Sequence, residues 1–307
     1  MSLMRSLLLA ASQNQWMRER ASRYRFVRRS VARFLPGETL EDALAVARVL
    51  KEKKMGAVFT HLGENVAERG EAAQVAEHYL GVIERNHAQG LGTEVSVKLT
   101  QLGLDIAPDF CFENLKSVLE REDKKSTVWI DMEASDYVDA TLEIYRRAQA
   151  AFPQTGICLQ AYLHRTKDDL EKLLPLRPAV RLVKGAYKEP QEVAFPRKRD
   201  VDESFFTLTQ TMLRARKRGE MGRVALGTHD VELIRRISEF AESEGVRKED
   251  FEVHMLYGIQ RDEQLRLAEN GYRSIILVAY GQFWYAWFLR RLAERPANVW
   301  FLLRNLF

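Results

Sequence analysis

Residues 94–132 read EVSVKLTQLGLDIAPDFCFENLKSVLEREDKKSTVWIDM, and this stretch alone indicates the fold class. It contains a short run rich in β-branched residues, Glu94–Leu99, then an amphipathic stretch with helical spacing, Phe110–Arg121, and then a second β-branched run, Thr127–Met132. A strand, a helix and a strand in this order are typical of a parallel sheet whose strands are joined by crossover helices. The stretch therefore predicts an α/β fold.

The same alternation extends outward in both directions, from residue 54 to the end of the chain. The other predicted strands are Gly56–Phe59, Gly156–Ala161, Val180–Val183, Arg223–Gly227, Phe251–Leu256 and Ser274–Val278. The other predicted helices are Glu71–Arg85, Tyr137–Ala151, Lys167–Leu174, Glu203–Arg218, Val231–Ser243, Asp262–Asn270 and Phe283–Glu294. Eight strand–helix units match one closed (βα)8 barrel of the TIM type.

The chain before the first predicted strand also has helical spacing. A Thr39–Asp42 capping pattern opens a helix that runs through Leu50. No linker rich in proline, glycine or serine divides the rest of the chain. We therefore predict an N-terminal helical extension over residues 1–50 and one catalytic barrel domain over residues 51–307.

The composition indicates a folded globular protein. Of 307 residues, 46% are hydrophobic and 29% are charged, which is enough apolar surface for a large core. The net charge of +4 is too small to indicate a nucleic-acid-binding protein. Between Arg18 and Arg33, however, seven arginines stand against one glutamate. This basic segment is either a solvated helix face or a contact with an anionic membrane surface.

The cysteines and the apolar runs indicate the compartment. Cys111 and Cys158 are far apart in sequence and predict neither a disulfide framework nor a metal site. The six dispersed histidines add no metal-binding spacing. We predict neither a signal peptide nor a membrane-spanning run. We expect a soluble, cytoplasmic protein, at most attached to the inner face of the membrane.

Polar side chains recur at the carboxyl end of almost every predicted strand, which is where barrel enzymes carry their active sites. In chain order they are His61 and Glu64, Lys98, Asp131 and Glu133, Gln160 and Tyr162, Lys184, Thr228 and His229, Tyr257, and Tyr280. This ring of residues predicts a functional mouth at that end of the barrel.

Lys98 and Asp131 stand out in this ring because each is a charge in an otherwise apolar strand. A buried lysine needs an anionic partner or a shifted pKa. Lys98 therefore faces either an anionic ligand or Asp131 in an ion pair that braces the barrel, and the two interpretations are compatible.

The last predicted helix carries a second group of polar residues. Trp287, Arg290, Arg291 and Glu294 are spaced by three or four residues and share one face, and Pro296 ends the helix. Two adjacent guanidinium groups suit a carboxylate ligand. The alternative is an exposed Arg290–Glu294 pair within the helix.

Six motifs in this order give the chain a family resemblance. They are SVKLTQLG at 96–103, DME at 131–133, LQAY at 159–162, RLVKGAY at 181–187, GTHD at 227–230 and RRLAERP at 290–296. Together they resemble the successive motifs of the proline dehydrogenase family, in its bacterial, monofunctional, FAD-dependent form, over roughly residues 35–305.

The resemblance implies oxidation of L-proline, or a related cyclic imino acid, to the imine (1-pyrroline-5-carboxylate from proline). The reaction is a hydride transfer to non-covalently held FAD, and the electrons pass on to a quinone. The resemblance also implies that the last helix lies over the barrel mouth. A membrane quinone would give the basic N-terminal segment a reason to touch lipid.

The resemblance also implies roles for individual residues. Asp131 and Arg181 are expected to be catalytic, with Arg181 near the flavin N5, and Glu64 is expected to close the site by pairing with an arginine of the last helix. The residues expected to bind substrate are Lys98, Leu256, Leu277, Trp287, Arg290 and Arg291. The residues expected to bind FAD are Met132, Gln160, Arg181, Lys184, Gly185, Ala186, Thr228 and His229.

The chain departs from the family pattern in its pocket wall. Leu277 and Trp287 stand where tyrosines are usual, and Ala279 stands where proline is common. The more apolar wall favours a different or bulkier imino acid as an alternative substrate. Two other functions stay open: an aldolase-type barrel that forms a Schiff base on Lys98 or Lys184, and a binding barrel that has lost turnover.

Overall fold

A computed structural model describes residues 31–123, 125–285 and 287–289. Its eight parallel strands form a closed barrel in chain order, with β8 paired to β1. The strands are β1 Gly56–His61, β2 Glu94–Val97, β3 Val128–Ile130, β4 Thr155–Gln160, β5 Ala179–Val183, β6 Arg223–Gly227, β7 Glu252–Leu256 and β8 Arg273–Tyr280. The predicted (βα)8 barrel is confirmed.

Helices surround this barrel in the described part of the chain. They are α1 Leu40–Glu52, α2 Arg69–Ala88, α3 Pro108–Arg121, α4 Val138–Ala151, α5 Thr166–Leu173, α6 Lys198–Lys217, α7 Val231–Ser243 and α8 Arg261–Glu269. Apolar residues at helical spacing, such as Leu115 and Ile237, share one buried cluster with outward-facing strand residues such as Val97 and Val253. This cluster is the main core, and burial of its apolar surface drives the barrel to close.

Several predicted element ends were wrong by a few residues. The predicted strand Glu94–Leu99 ends at Val97, because the N–H groups of Gln101 and Leu102 both bond back to the Lys98 carbonyl and turn the chain. The last strand instead extends to Tyr280, because its pairing with β1 continues up to His61. As a result, Lys98 lies directly beyond its strand, on the turn at the barrel mouth.

Helix α1 lies in the described part of the predicted N-terminal extension, residues 31–50, and runs two residues past it to Glu52. Its capping pattern is confirmed: the Asp42 N–H donates to Thr39 Oγ1 (3.2 Å), and the Thr39 N–H donates to Asp42 Oδ2 (3.0 Å). The helix packs against β1 and β8. It therefore covers the barrel seam, where an eighth crossover helix would otherwise lie.

The start of the last predicted helix packs elsewhere, in a separate apolar cluster with Leu256 and Ala279. Phe34 from the N-terminal extension joins this cluster, with its ring 6.1 Å from that of Phe288. Of the basic segment Arg18–Arg33, all but its last three residues lie outside the described residues. Within the described part, no helix is both long and apolar enough to cross a membrane.

The N-terminal extension is fitted closely to the loop after β7 at Gly258. This glycine has a left-handed backbone (φ +81), and a Cβ on it would lie 1.8 Å from the Arg33 carbonyl oxygen. Gly271 has almost the same φ (+82) but nothing within 4 Å of its Cβ position. Comparing alanine substitutions at the two glycines therefore separates the effect of backbone strain from the effect of a steric clash.

We predict that Gly258→Ala lowers the free energy of unfolding more than Gly271→Ala does, as measured by urea denaturation. Both variants carry the left-handed strain of about 1 kcal/mol. Only Gly258→Ala adds a clash with backbone, for about 2 kcal/mol more. Equal destabilisation by the two variants would show that the fit between Arg33 and Gly258 does not stabilise the fold.

Asp230 caps helix α7 and ties it to the end of β5. Its Oδ1 accepts from the Leu233 N–H (3.3 Å), and its Oδ2 accepts from Lys184 Nζ (2.8 Å). Partial burial alone would raise the pKa of this carboxyl, but the hydrogen bond and charge of Lys184 outweigh it and lower the pKa to about 2. The folded state therefore favours the ionised carboxylate.

We predict that Asp230→Asn lowers the free energy of unfolding by about 1 kcal/mol at pH 6, a figure reduced for the partial exposure of the ion pair. Because the folded pKa lies below the ordinary value of 3.8 for an aspartate, this stabilisation is complete above about pH 4 and is lost as the pH falls toward 2. The difference between wild type and variant in urea denaturation should therefore shrink at pH 3. Asp168→Asn, which changes an exposed carboxyl on α5, is the control. A difference that is as large at pH 3 as at pH 6 would refute the prediction.

Candidate active site at the barrel mouth

One half-buried carboxylate binds two cations inside the barrel, close to the mouth. Asp131 Oδ1 accepts from Ser96 Oγ (2.7 Å) and Arg181 Nη2 (2.5 Å), and its Oδ2 accepts from Lys98 Nζ (2.8 Å). The Cys158 thiol lies 3.5 Å from Oδ1. These five residues, called the Asp131 cluster below, come from β2, β4, β5 and the ends of β2 and β3. Strand alternation turns all of them into the barrel.

The charges of the Asp131 cluster stabilise one another. Burial alone would raise the pKa of Asp131, but Lys98 and Arg181 outweigh it and hold that pKa well below its usual range. Burial would lower the pKa of Lys98, but the charge of Asp131 outweighs it and raises that pKa above its usual range. Lys98 therefore stays a cation, and its side chain is still 13% exposed toward a ligand.

Below the Asp131 cluster the barrel is filled. The ring of Trp129 lies between two guanidinium groups, with its centroid 5.1 Å from Arg181 Cζ and 5.2 Å from Arg223 Cζ. Arg223 in turn forms ion pairs with Glu94 and with Glu252 (2.7 Å). This packing closes the far end of the barrel, so a ligand reaches the cluster from the mouth.

Arg181 Nη1 and Gln160 Oε1 are two of the buried polar atoms that have no hydrogen-bond partner among the described residues. The amide nitrogen of Gln160 is occupied, since it donates to the carbonyls of Met132 (3.3 Å) and Glu133 (2.9 Å). Buried polar atoms are costly unless they are paired. A ligand that offers both an acceptor and a donor would satisfy the guanidinium and the amide.

The loop after β5 passes close over the barrel end. Lys184 Nζ donates to Asp202 Oδ1 (2.6 Å) and to Asp230. Gly185 has φ +116, and a Cβ there would lie 2.3 Å from the Tyr162 ring, so only glycine fits without displacing the ring. Ala186, next in the chain, is half-buried. The predicted Lys184–Ala186 segment thus borders the mouth.

The ends of β6 and β7 are joined beside this loop. His229 Nε2 accepts from the Leu256 N–H (2.9 Å), and Thr228 Oγ1 accepts from the Asp230 N–H (3.2 Å). Thr228 and Met132 are both buried. Apart from Arg181, which lies within β5 and points into the barrel, the predicted FAD-binding residues lie at strand ends or in the loops that follow, at one end of the barrel.

Only some of the residues predicted to bind substrate lie among the described residues. Leu256 and Leu277 are paired across β7 and β8, and Leu256 and Trp287 belong to the apolar cluster that contains the start of the last helix. Arg290 and Arg291 lie outside the described residues. The predicted carboxylate clamp is therefore described only at Lys98.

Glu64, the predicted gate residue, is half-buried in the loop after β1. Burial raises the pKa of Glu133, and the charge of Glu64 adds to this increase. Glu133 accepts from the N–H of Thr100 (3.1 Å) and from its hydroxyl (2.7 Å). Glu64 thus lies near the loops after β2 and β3.

Three residues of the site were missed by the sequence predictions: Cys158, Trp129 and, as a ligand of Asp131, Ser96. The signal that could have found them is the alternation of side chains along a strand, which turns every second residue to the same face. Counting back from Lys98 by twos gives Ser96 and Glu94, and all three side chains face the interior. The same count applied to the other strands would have found the rest.

One group outside the mouth has metal-ligating atoms close together. His87, Glu122 and Asp123 place one such atom each within 4.8 Å of the others. They lie at the C-terminal ends of α2 and α3, at the end of the barrel opposite the mouth. The expectation that the protein has no metal site stays a prediction.

Comparison with known proteins identifies the family to which the chain belongs. A family model described as proline dehydrogenase matches residues 43–304. Proline dehydrogenase 1 of Bacillus subtilis strain 168 is 37% identical over 305 residues, which is 99% of this chain and 99% of that protein. Proline dehydrogenase of Deinococcus radiodurans is 36% identical over 280 residues, which is 89% of each chain.

Among solved structures, proline utilization A from Bdellovibrio bacteriovorus superposes with a TM-score of 0.81 at 23% identity. The match covers 95% of this chain but spans only 36% of that longer chain, so it bears on the fold alone. The family model and the full-length relatives bear on the family. The chain therefore belongs to the proline dehydrogenase family of oxidoreductases.

Proposed function

We propose that this protein oxidises L-proline, or a closely related cyclic imino acid, to the corresponding imine, with bound FAD as the hydride acceptor and a quinone as the final electron acceptor. The observation that carries this proposal is the pair of cations, Lys98 and Arg181, held by Asp131 at the barrel mouth of a chain from this family. One cation faces the substrate carboxylate, and the other faces the cofactor.

The residues at the mouth fit FAD. The unpaired Arg181 Nη1 offers a donor, the unpaired Gln160 Oε1 offers an acceptor, and Gly185 allows the backbone to approach closely. An isoalloxazine ring carries both hydrogen-bond acceptors and an N–H donor. The residues that would hold FAD are Met132, Gln160, Arg181, Lys184, Gly185, Ala186, Thr228 and His229. FAD supplies the acceptor for two electrons and a proton, which no protein side chain provides.

Lys98, together with Arg290 and Arg291, binds the substrate carboxylate. Asp131 fixes the position of the Lys98 ammonium, so the carboxylate meets a cation that is already oriented. A clamped carboxylate leaves the ring carbon beside nitrogen with few orientations. Such positioning lowers the barrier by up to several kcal/mol.

Asp131 acts as an electrostatic and positioning group and not as the proton acceptor. Its lowered pKa, which follows from the charges of Lys98 and Arg181 acting against burial, keeps it ionised and makes it a poor base at neutral pH. A fixed negative charge in the site also favours the positive charge that the imino acid develops as it is oxidised.

The proposal also includes a quinone as electron acceptor and contact with a membrane. The basic segment from Arg18 would hold the cytoplasmic protein at an anionic membrane surface, where a quinone can take the electrons. Faster reoxidation of substrate-reduced protein by a water-soluble quinone than by oxygen supports this assignment. Equal rates with both oxidants would refute it.

Two rival functions are less well supported. A Schiff-base aldolase needs a neutral lysine amine, whereas Asp131 raises the pKa of Lys98 against the effect of burial, and Lys184 contacts two aspartates. A binding barrel without turnover would keep the same cluster, and what counts against it is that the full-length relatives are dehydrogenases. Purified protein that is colourless and is trapped by borohydride with a carbonyl substrate would favour the aldolase.

The experiment that tests the proposed function is anaerobic bleaching of the bound flavin. The panel is proline, hydroxyproline, pipecolate and an acyclic secondary amino acid. Protein purified with a flavin spectrum that a cyclic imino acid bleaches supports the proposal. A bound flavin that no member of the panel reduces would favour the binding barrel.

We predict that Lys98→Met raises KM for proline by about tenfold to a hundredfold, because a charged hydrogen bond to the carboxylate is lost. FAD binding should change little, since Lys98 is assigned to the substrate. Lys172→Met, which changes an exposed lysine on α5, is the control and should leave KM unchanged. A folded Lys98→Met protein with wild-type KM would exclude Lys98 from the carboxylate site.

The wall at Leu277 favours a larger ring as a second candidate substrate, because Leu277 faces the barrel interior beside Leu256. We predict that Leu277→Tyr lowers kcat/KM for pipecolate, relative to proline, by about tenfold, since one methylene in a closed pocket discriminates on that scale. Leu277→Met keeps the volume and should leave the ratio unchanged. An unchanged ratio in Leu277→Tyr would mean that this position does not touch the substrate ring.

A further inference from the structure

Two nitrogens on one edge of the Arg181 guanidinium, Nε and Nη2, are hydrogen-bonded. The third nitrogen, Nη1, forms the open corner of the group. Its Nε donates to Cys158 Sγ (2.9 Å), and its Nη2 donates to Ser96 Oγ (2.7 Å) and to Asp131. Its Nη1 has no partner among the described residues. The whole side chain is buried, with 4% of the residue exposed. The direction in which Nη1 points therefore depends on the groups that bind Nε and Nη2 on the opposite edge.

Cys158 is positioned to accept a hydrogen bond from Nε on that edge. It is the direct partner of Arg181 across β4 and β5, and both side chains point into the barrel. Its sulfur accepts from Arg181 Nε, and its S–H lies 3.5 Å from Asp131 Oδ1. Burial raises the pKa of the thiol to about 12, so the thiol keeps the proton it donates. Cys158 therefore bridges the cation and the carboxylate of the cluster.

The contacts at Nη2 do not replace this bridge. Ser96 and Asp131 both bind the same nitrogen, so by themselves they leave the guanidinium plane free to pivot about that point. The bond from Nε to Cys158 adds a second fixed point on the same edge, and the covalent bond from Nε to Cδ supplies the third point that defines the plane. An apolar residue at 158 would also leave the buried Nε–H without this acceptor.

We infer that Cys158 is a positioning residue: its thiol fixes the plane of the Arg181 guanidinium so that the open Nη1 corner is presented to the ring of the bound cofactor. The inference rests on the proposed function, because that function places the flavin at this corner. Cys158 acts through Arg181 and does not itself touch substrate or cofactor.

The chain offers a matched control in its other cysteine. Cys111 is also buried, and burial likewise raises the pKa of its thiol to about 12. Its thiol donates to the Leu99 carbonyl (3.4 Å) within the outer core, away from the Asp131 cluster. Cys111→Ala therefore removes a thiol of equal burial from the same protein without changing Arg181.

The experiment compares Cys158→Ala, Cys158→Ser and Cys111→Ala with wild type as full-length proteins. The measurements are the Kd of FAD for the apoprotein, from quenching of FAD fluorescence, and the anaerobic bleaching of bound flavin against proline concentration. Bleaching gives a limiting rate constant and an apparent Kd for proline. Urea denaturation of each variant measures the loss of stability that any buried Cys→Ala change causes.

We expect Cys158→Ala to raise the FAD Kd and lower the limiting bleaching rate constant, each by about tenfold, the scale of one lost hydrogen bond to a charged group. The apparent Kd for proline should change little. Cys158→Ser, whose hydroxyl can accept from Nε and donate to Asp131, should recover most of both losses. Cys111→Ala should lower stability but leave both constants at wild-type values.

Equal FAD Kd and bleaching rate constants in Cys158→Ala and Cys111→Ala would overturn the inference, as would a Cys158→Ser protein no better than Cys158→Ala. Either result, with a wild type that binds and reduces FAD, leaves the proposed function intact. A wild-type protein that binds no FAD would instead refute the proposed function and the inference together.

Discussion

The Asp131 carboxylate is the constraint on which the rest of the site depends. It is half-buried inside the barrel and holds Lys98 and Arg181 on its two oxygens. Without it, two cations would lie close together in a medium of low polarity, where their repulsion is strong. With it, both cations keep fixed positions and still have donors left for a ligand. A single anion thus sets the geometry for two different ligands, a substrate acid and a cofactor ring.

The barrel supports this arrangement from below and from the side. Trp129 separates Arg181 from Arg223, and Glu252 balances the charge of Arg223 at the closed end. The alternation of side chains along each strand keeps these charges inside and the apolar residues outside, against the helices. The charged interior therefore does not interrupt the main apolar core, which lies between the strands and the helices.

Much of this was predictable from the sequence, and the reasons for the misses are physical. The strand count and the capping of the first described helix by Thr39 follow from periodicity, and the ion pair of Lys98 with Asp131 was one of the two interpretations of that lysine. Arg181 was placed near the flavin only by the family resemblance, and its ion pair with Asp131 was not predicted. Strand ends were less predictable, since the turn after Val97 is set by backbone hydrogen bonds that no side chain announces. Cys158 was missed because a cysteine in an apolar strand looks like any small core residue, and its role depends on a partner on the next strand.

The most direct measurement is a crystal structure of the FAD-loaded protein with a five-membered ring carboxylate that lacks the amine. We predict that Lys98 Nζ bonds to both Asp131 and the ligand carboxylate, with Arg290 and Arg291 on the same carboxylate and Arg181 Nη1 on the flavin. A ligand carboxylate bound elsewhere, with Lys98 turned away from it, would show that Lys98 does not bind the substrate.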